Sequence, residues 1–271
     1  MLLLLLGAIP VFFSYTLLSE TNAELFTFYI IYFVLLGLYF YVIRKHDLSY
    51  AAIFEDPARD FSAVWLFIPL IAFTIGVIWV TLLLLNSLSP EVAGSYLDWM
   101  NSIELFAITP ETTFLQYLLI FVVISVLAPL VEEIIFRGVL IERLGLKYGY
   151  TKAVFISSFL FGVLHADVVG AFLFGVVLSV VYLKTRSLLL PFLIHAANNA
   201  AATLTIFFQD RFDTESWLTL EPYLQHAWIG ILIFLTAAVW LAWYLKQNWS
   251  SVTDLKPFEE HDAVKSNSGW Q

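Results

Sequence analysis

Apolar residues in this chain fall into long runs separated by short polar stretches. Most of these runs approach or reach the roughly 20 residues that a helix needs to cross a bilayer. They cover residues 2–18, 25–43, 63–85, from about 113 into Arg143, 153–169, 171–183, 188–208 and 226–245. The pattern predicts an all-α fold, a polytopic membrane protein with about eight transmembrane helices.

The first run, 2–18, is at the short end of this range. No Lys or Arg precedes it and no convincing A-x-A cleavage site follows it, although a secretory signal peptide would require both. We therefore interpret this run as a retained helix, with a cleaved signal peptide as the alternative.

Composition supports the membrane class. Hydrophobic residues make up 61% of the 271 residues and charged residues 13%, far from the usual quarter in a soluble domain. The chain has no cysteine, which excludes disulfides, thiolate nucleophiles and Cys-based metal sites. Its net charge of −9 gives no support to nucleic-acid binding, so we expect no nucleic-acid partner.

Basic residues distribute unevenly between the loops of the eight-helix arrangement. When both termini are placed in the cytoplasm, 12 of the 13 Lys and Arg residues lie on or towards the cytoplasmic side, and only Arg211 lies outside. The short polar loops between the runs are typical of a bacterial membrane protein. We therefore expect an integral protein of a bacterial inner (plasma) membrane, with both termini cytoplasmic.

One apolar run contains charges that a bilayer would reject. The stretch 127–143 reads LAPLVEEIIFRGVLIER, and its Glu132, Glu133 and Arg137 each cost free energy to place in lipid. Glu133 and Arg137 are four residues apart, the favourable order for an ion pair on a helix. Glu132 is turned about 100° away, which leaves it available for chemistry.

Two further spans carry polar groups. The predicted fifth span holds Phe161 and His165, and the seventh holds His195, Asn198 and Asn199. At 1.5 Å per residue, the carboxylates and both histidines lie about 14–20 Å from the basic residues that flank their helices. This similar depth predicts one polar cavity that opens towards the cytoplasm, with Phe161 packing beside His165 and Asn198 in a structural role.

These residue types can hydrolyse an amide without a covalent nucleophile. Glu132 can act as general base on a water, and His165 can orient that water. His195 and Asn199 can donate hydrogen bonds to the oxyanion of a tetrahedral intermediate. This mechanism needs no cofactor, whereas two His and one Glu can instead bind zinc and leave a fourth position to water. The residues alone leave both mechanisms open.

In three ordered motifs the chain resembles the CAAX-protease and bacteriocin-processing (CPBP) family of intramembrane proteases, which includes the CAAX prenyl endopeptidases. The motifs are Glu132-Glu133-x-x-x-Arg137, Phe161-x-x-x-His165 and His195-x-x-x-Asn199. The resemblance covers about 115–203. It implies a glutamate-dependent intramembrane endopeptidase in which Glu132 is the base and Arg137 a structural partner. Asp167 is not part of the motif and either acts on the His165 pKa or marks a helix end.

The resemblance implies a substrate class but not a substrate. Eukaryotic relatives cut prenylated C-termini, and bacterial relatives are linked to peptide maturation and bacteriocin immunity. We expect a membrane-embedded or lipidated protein or peptide as substrate. The alternatives are a membrane transporter, since embedded Glu, His and Arg also form ion relays, and a non-catalytic immunity protein on the same scaffold.

The predicted organisation has four regions. Residues 1–112 form an N-terminal transmembrane region of about three helices, and 113–208 form the CPBP-like catalytic core. Residues 209–245 contain a loop and the last transmembrane helix, and 246–271 form a polar cytoplasmic tail. The catalytic core thus lies among the last five helices.

Overall fold

The computed structural model describes residues 18–45, 61–102, 106, 112–209 and 219–255. These residues form helices and turns, and no strand occurs among them. The first predicted span, 2–18, lies outside the described residues except for its last position, as do residues 256–271 of the polar tail.

The described residues form ten helices, numbered here in chain order. They are α1 Glu20–Lys45, α2 Phe67–Leu88 with the preceding 3₁₀ turn Phe61–Leu66, α3 Pro90–Asn101, α4 Phe114–Tyr148, α5 Tyr150–Val163, α6 Val168–Thr185, α7 Leu189–Gln209, α8 Leu220–Gln225, α9 Ala227–Asn248 and α10 Ser250–Thr253.

Five helices in the described part of the chain are long and apolar enough to cross a membrane. They are α1, α2 with its 3₁₀ turn, α4, α6 and α9, and they correspond to five of the predicted spans. The shorter apolar helix α5 and the 21-residue α7 occupy the places of two more. The chain is therefore an all-α integral membrane protein.

The predicted fifth span, 153–169, is too long. α5 ends at Val163, so His165 lies in the turn between α5 and α6 and not inside a helix. The side chains explain this end: His165 Nδ1 donates a hydrogen bond to the Phe161 carbonyl at 2.7 Å. Asp167 then caps the start of α6 by accepting the Gly170 N–H. Both contacts satisfy backbone groups that helix ends leave without partners.

Contacts divide the chain into two compact units. The first unit comprises Met1–Ala52, Thr81–Glu132 and His195–Ala227, and the second comprises Ile53–Val80, Glu133–Ile194 and Trp228–Gln271. The division into four consecutive regions stays a prediction, since it describes the order of the sequence and not these contacts.

In the first unit, α1 packs against the first half of α4. A buried cluster of Leu25, Phe106, Ile120 and Val123 forms the contact. The Tyr29 hydroxyl donates to the Leu119 carbonyl at 3.2 Å. Thr113 and Gln116 form a capping box at the start of α4, which fixes where this helix begins.

In the second unit, α5 and α6 approach each other closely. A Cβ at Gly175 would lie 2.9 Å from Ser158 Cβ and 3.0 Å from Ser158 Cα, so only glycine fits at this position. Phe136, Phe161, Phe174 and Ile194 belong to the large buried cluster of this unit. The packing brings the backbone of α6 within reach of the charged part of α4.

Candidate active site

The carboxylate stretch lies in an irregular part of α4. A π-helical segment, Val123–Leu127, precedes the α-helical turn Ala128–Glu133, and a second π segment, Ile134–Ile141, follows it. Pro129 has no N–H to give to the preceding turn, which is a local reason for the change of bonding. π segments are rare and frequently occur at functional sites. No expectation drawn from the sequence included these π segments, although Pro129 was the available signal.

Glu132 and His195 lie together in the first unit. His195 Nε2 is 3.7 Å from Glu132 Oε2, and the side chains are 3% and 26% exposed. This distance is outside hydrogen-bond range but within the range of an ion pair when the imidazole is protonated. Glu132 Oε2 is buried and accepts no hydrogen bond from any described residue. Its lone pairs are therefore available to a further donor.

Asn199 is held by the first π segment. One N–H of its amide group donates to the Ile124 carbonyl at 3.0 Å, and its own backbone carbonyl accepts the Thr203 hydroxyl at 2.8 Å. Asn198 Nδ2 lies 3.5 Å from Asn199 Oδ1, a long hydrogen bond. Because a carboxamide carries two N–H groups, the contact with Ile124 fixes the orientation of Asn199 and leaves a second hydrogen on the same nitrogen.

Tyr32 on α1 is a further neighbour of this site, and none of the three sequence motifs includes it. Its ring packs on the buried cluster of the first unit. The charge of Glu132 acts on its hydroxyl group. No local sequence pattern connects α1 with α4, so only the packing identifies this residue.

Glu133 and Arg137 form a buried ion pair in the second unit. Arg137 Nη1 donates to Glu133 Oε1 at 2.8 Å, and both side chains are 1% exposed. Arg137 Nη2 also donates to the Gly175 carbonyl on α6 at 3.3 Å. A buried pair contributes most when further hydrogen bonds complete it, and the α6 backbone supplies one here.

Phe161 connects Arg137 with His165. The Arg137 guanidinium lies over the Phe161 ring, 4.8 Å from its centroid, and the His165 ring centroid is 4.3 Å from that of Phe161. The bond to the Phe161 carbonyl places a hydrogen on His165 Nδ1, since a carbonyl can only accept. In the neutral ring, Nε2 of His165 is therefore the acceptor.

Asp167 marks the start of α6, one of the two alternatives drawn from the sequence. Its Oδ1 accepts the Gly170 N–H at 2.9 Å, while Oδ2 is buried without a hydrogen-bond partner among the described residues. Burial raises the pKa of the Asp167 carboxyl above its ordinary value of 3.8, against smaller lowering effects from the Gly170 N–H and His165. The charge of His165 therefore acts on Asp167 as well.

A second polar cluster lies near the end of α4, and none of the sequence motifs indicated it. Glu142 accepts hydrogen bonds from the hydroxyls of Tyr150 at 2.7 Å and Tyr182 at 2.8 Å. Arg186 Nη1 lies 3.1 Å from the same carboxylate. The partners are far apart along the chain, so no spacing rule could have identified this network.

The described residues do not contain the donor set of a catalytic zinc. No group of three or more His, Asp or Glu side chains among them could hold a metal ion. A catalytic zinc normally has three protein ligands, whereas the first unit brings Glu132 and His195 together. We therefore derive no catalytic step through a metal.

The predicted site residues are thus distributed over the two units. Glu132, His195 and Asn199 lie in the first. Glu133, Arg137, Phe161 and His165 lie in the second, where they form a continuous chain of contacts from α4 to the end of α5.

Comparison with known proteins gives one family. Residues 114–201 match the family model described as Type II CAAX prenyl endopeptidase Rce1-like. This segment is about a third of the chain and contains all seven predicted site residues, and the match confirms the resemblance to CAAX-type proteases. No curated protein and no solved structure matches the chain.

Proposed function

We propose that this membrane protein is an intramembrane endopeptidase in which Glu132 activates a water to hydrolyse a peptide bond. One observation carries the proposal: within the segment similar to CAAX prenyl endopeptidases, the buried Oε2 of Glu132 lies 3.7 Å from Nε2 of His195. A carboxylate and a histidine, both costly to place in lipid, lie next to each other, which is typical of a functional site.

The first step is proton transfer from water to the Glu132 carboxylate. The resulting hydroxide attacks the carbon of the scissile carbonyl, and the C–O double-bond electrons move to oxygen. The oxyanion electrons then re-form the carbonyl as the C–N bond breaks, and Glu132 returns the proton to the leaving nitrogen, which gives a carboxylic acid and an amine. A positioned general base of this kind contributes roughly 10²–10⁴-fold to the rate.

His195 and Asn199 are the proposed donors to the oxyanion. A group that accepts a hydrogen bond from His195 Nε2 must lie close to Glu132, because the two side chains are adjacent. Asn199 is oriented by its bond to the Ile124 carbonyl and has a second N–H to donate. Each such donor commonly lowers the barrier by about 3 kcal/mol. The water-orienting role of His165 stays a prediction from the resemblance.

The proposed substrate is a peptide bond in a membrane-embedded or lipidated protein or peptide. Glu132 lies in α4, which is long and apolar enough to cross a membrane, so a substrate from the same bilayer would reach it without leaving lipid. We further propose a bacterial inner membrane with both termini in the cytoplasm, because that orientation leaves Arg211 as the one basic residue outside.

The test is cleavage of host membrane peptides and of a farnesylated C-terminal peptide by the purified protein, read by mass spectrometry of new termini. Wild type is compared with Glu132→Gln, His165→Ala and His195→Ala. His226→Ala is the matched control, because His226 Nδ1 also donates to a carbonyl four residues earlier, that of Pro222. The metal content of each sample is measured in parallel.

We expect wild type and His226→Ala to cleave the substrate and the three other variants to lose cleavage. Each sample should contain much less than one metal ion per protein molecule. Full activity of Glu132→Gln would overturn the proposed base. Activity that follows bound zinc would replace the glutamate mechanism with a metal mechanism. Absence of cleavage with every substrate would favour a transport or immunity function instead.

A further inference from the structure

A cavity of about 370 Å³ lies in the second unit and contains none of the proposed active-site residues. Four aromatic residues are among those that line it, namely Trp65, Trp240, Trp243 and Tyr244. Ser62 and Lys184 supply polar groups to the lining. Its volume falls in the range of small-molecule sites, roughly 300–1,000 Å³.

All of the lining residues except Leu190 come from corresponding ends of three apolar helices. Ser62 is the first residue of the candidate span Ser62–Leu88, and Lys184 is the last but one of Val168–Thr185. Trp243 lies near the end of Ala227–Asn248. The cavity is therefore at a boundary where hydrocarbon gives way to lipid headgroups. Trp and Tyr are enriched at this depth, because their rings are apolar while their N–H and O–H groups are polar.

The indoles at the cavity face outwards. Trp65 is 64% exposed, Trp240 44% and Trp243 57%. An exposed aromatic wall at this depth offers its faces to acyl chains and its N–H groups to glycerol or phosphate oxygens. This lining fits a ligand with one apolar and one polar end.

Lys184 gives the cavity a positive charge. Its side chain is exposed and makes no hydrogen bond or ion pair with any residue in the described ranges. Arg186, two positions later, does have an ion-pair partner, because its Nη1 lies 3.1 Å from the Glu142 carboxylate. Two neighbouring cations thus differ in that one is neutralised by the protein and the other is not.

We propose that this cavity binds a phospholipid with an anionic headgroup. The phosphate lies at Lys184, where an ammonium group is a common phosphate partner, and the acyl chains run along the faces of Trp240 and Trp243 in the bilayer. Basic pockets between transmembrane helices bind lipid headgroups by the same physics. The proposal does not depend on proteolysis, because the two sites share no residue.

The experiment measures lipid retention by native mass spectrometry of the full chain in neutral-detergent micelles. Phosphatidylglycerol and phosphatidylcholine are added in separate titrations, and soluble glycerol phosphate is added as a competitor. The variants are Lys184→Gln and Trp240→Ala, and Lys152→Gln is the matched control, since Lys152 is an exposed lysine outside the cavity.

Wild type is expected to retain phosphatidylglycerol in preference to phosphatidylcholine. Lys184→Gln should weaken phosphatidylglycerol binding about fivefold, the effect of roughly 1 kcal/mol for one basic group at an anionic headgroup. Trp240→Ala should weaken both lipids, while Lys152→Gln should change neither.

Three results would overturn the proposal. Equal retention of the two lipids would remove the headgroup assignment. An equal effect of Lys152→Gln and Lys184→Gln would indicate general surface charge and no site. Displacement of the lipid by glycerol phosphate at the same concentration would assign the cavity to soluble phosphate esters. Circular dichroism of each variant shows that a loss of binding is not a loss of folding.

Discussion

The imidazole Nε2 of His195 on α7 lies 3.7 Å from the carboxylate Oε2 of Glu132 on α4, and His195 is almost fully buried. A change in the protonation or charge of one group therefore changes the electrostatic surroundings of the other directly. Neither residue can be replaced without changing the surroundings of its neighbour, so the catalytic contributions proposed for them are expected to be coupled.

This coupling predicts non-additive kinetics. Glu132→Gln and His195→Ala should each lower kcat/KM by about 10²–10⁴-fold, the usual contribution of a positioned acid or base. The double variant should be no worse than about the more damaging single one, since groups that act as a unit lose their effect together. Exposed Glu91→Gln is the control. Multiplicative losses in the double variant would contradict a shared function.

Asn199 should affect the chemical step more than binding. Asn199→Ala removes the N–H groups that the Ile124 carbonyl orients, so we expect kcat to fall about 10²–10³-fold with little change in KM. Asn198→Ala is the matched neighbour, with an expected loss of less than about tenfold. Steady-state kinetics of both variants on one peptide checks this, and equal losses would remove the distinction between the two amides.

Removal of Arg137 should destabilise the second unit. Arg137→Met leaves Glu133 buried without its ion-pair partner, and we expect a loss of about 3–5 kcal/mol in the free energy of unfolding. The double variant Glu133→Leu, Arg137→Met should recover much of that loss, because no buried charge remains. Unfolding by denaturing detergent in mixed micelles measures both. A double variant as unstable as the single one would mean that the pair stabilises the fold by itself.

Gly175→Ala should also destabilise the second unit. The added Cβ would meet Ser158 Cβ at 2.9 Å and Cα at 3.0 Å, and overpacking of this kind costs about 1–3 kcal/mol. Gly37→Ala is the control, since no atom lies within 4 Å of its added Cβ. Thermal unfolding in detergent should show a lower midpoint for Gly175→Ala and an unchanged or higher one for Gly37→Ala.

Asp167 should make stability depend on pH. Burial raises the pKa of its carboxyl from 3.8, so the folded state holds this proton more tightly than the unfolded state. Its contribution to stability is therefore largest at low pH and declines as pH rises through the raised pKa. Asp167→Asn keeps an oxygen for the Gly170 N–H and removes the titration.

Asp167→Asn is thus expected to be more stable than wild type at pH 7, with the difference disappearing below about pH 4. Thermal unfolding across this range measures the effect, and Asp98→Asn, at an exposed carboxyl, is the matched control. A variant less stable than wild type at pH 7 would show that the charged form of Asp167 is favoured in the fold.

The apolar runs of the sequence determined the class of fold. Lipid cannot hydrogen-bond the backbone, so long apolar runs must become helices that bond internally, and five such helices are present among the described residues. The spacing of Glu133 and Arg137 also determined their ion pair, because residues four apart on a helix are neighbours by geometry.

Local signals were weaker where a side chain competes with the helix. The apolar run 153–169 continues through His165, yet α5 ends at Val163 because His165 and Asp167 bond to backbone groups at the helix ends. In α4, the π segments on either side of Glu132 likewise replace the regular α-helical hydrogen bonds. The apolar composition of these runs indicates neither the early end of α5 nor the π segments of α4.

The sequence by itself thus determined a helical membrane protein with a charged stretch in its fourth span and the motifs of a protease family. Only the tertiary structure decided that Glu132 meets His195, that Ile124 orients Asn199 and that Phe161 lies between Arg137 and His165. It also assembled Glu142 with Tyr150, Tyr182 and Arg186. The physical reason is that most of these contacts join different helices, and the packing of helices, not the periodicity of one helix, sets which faces meet.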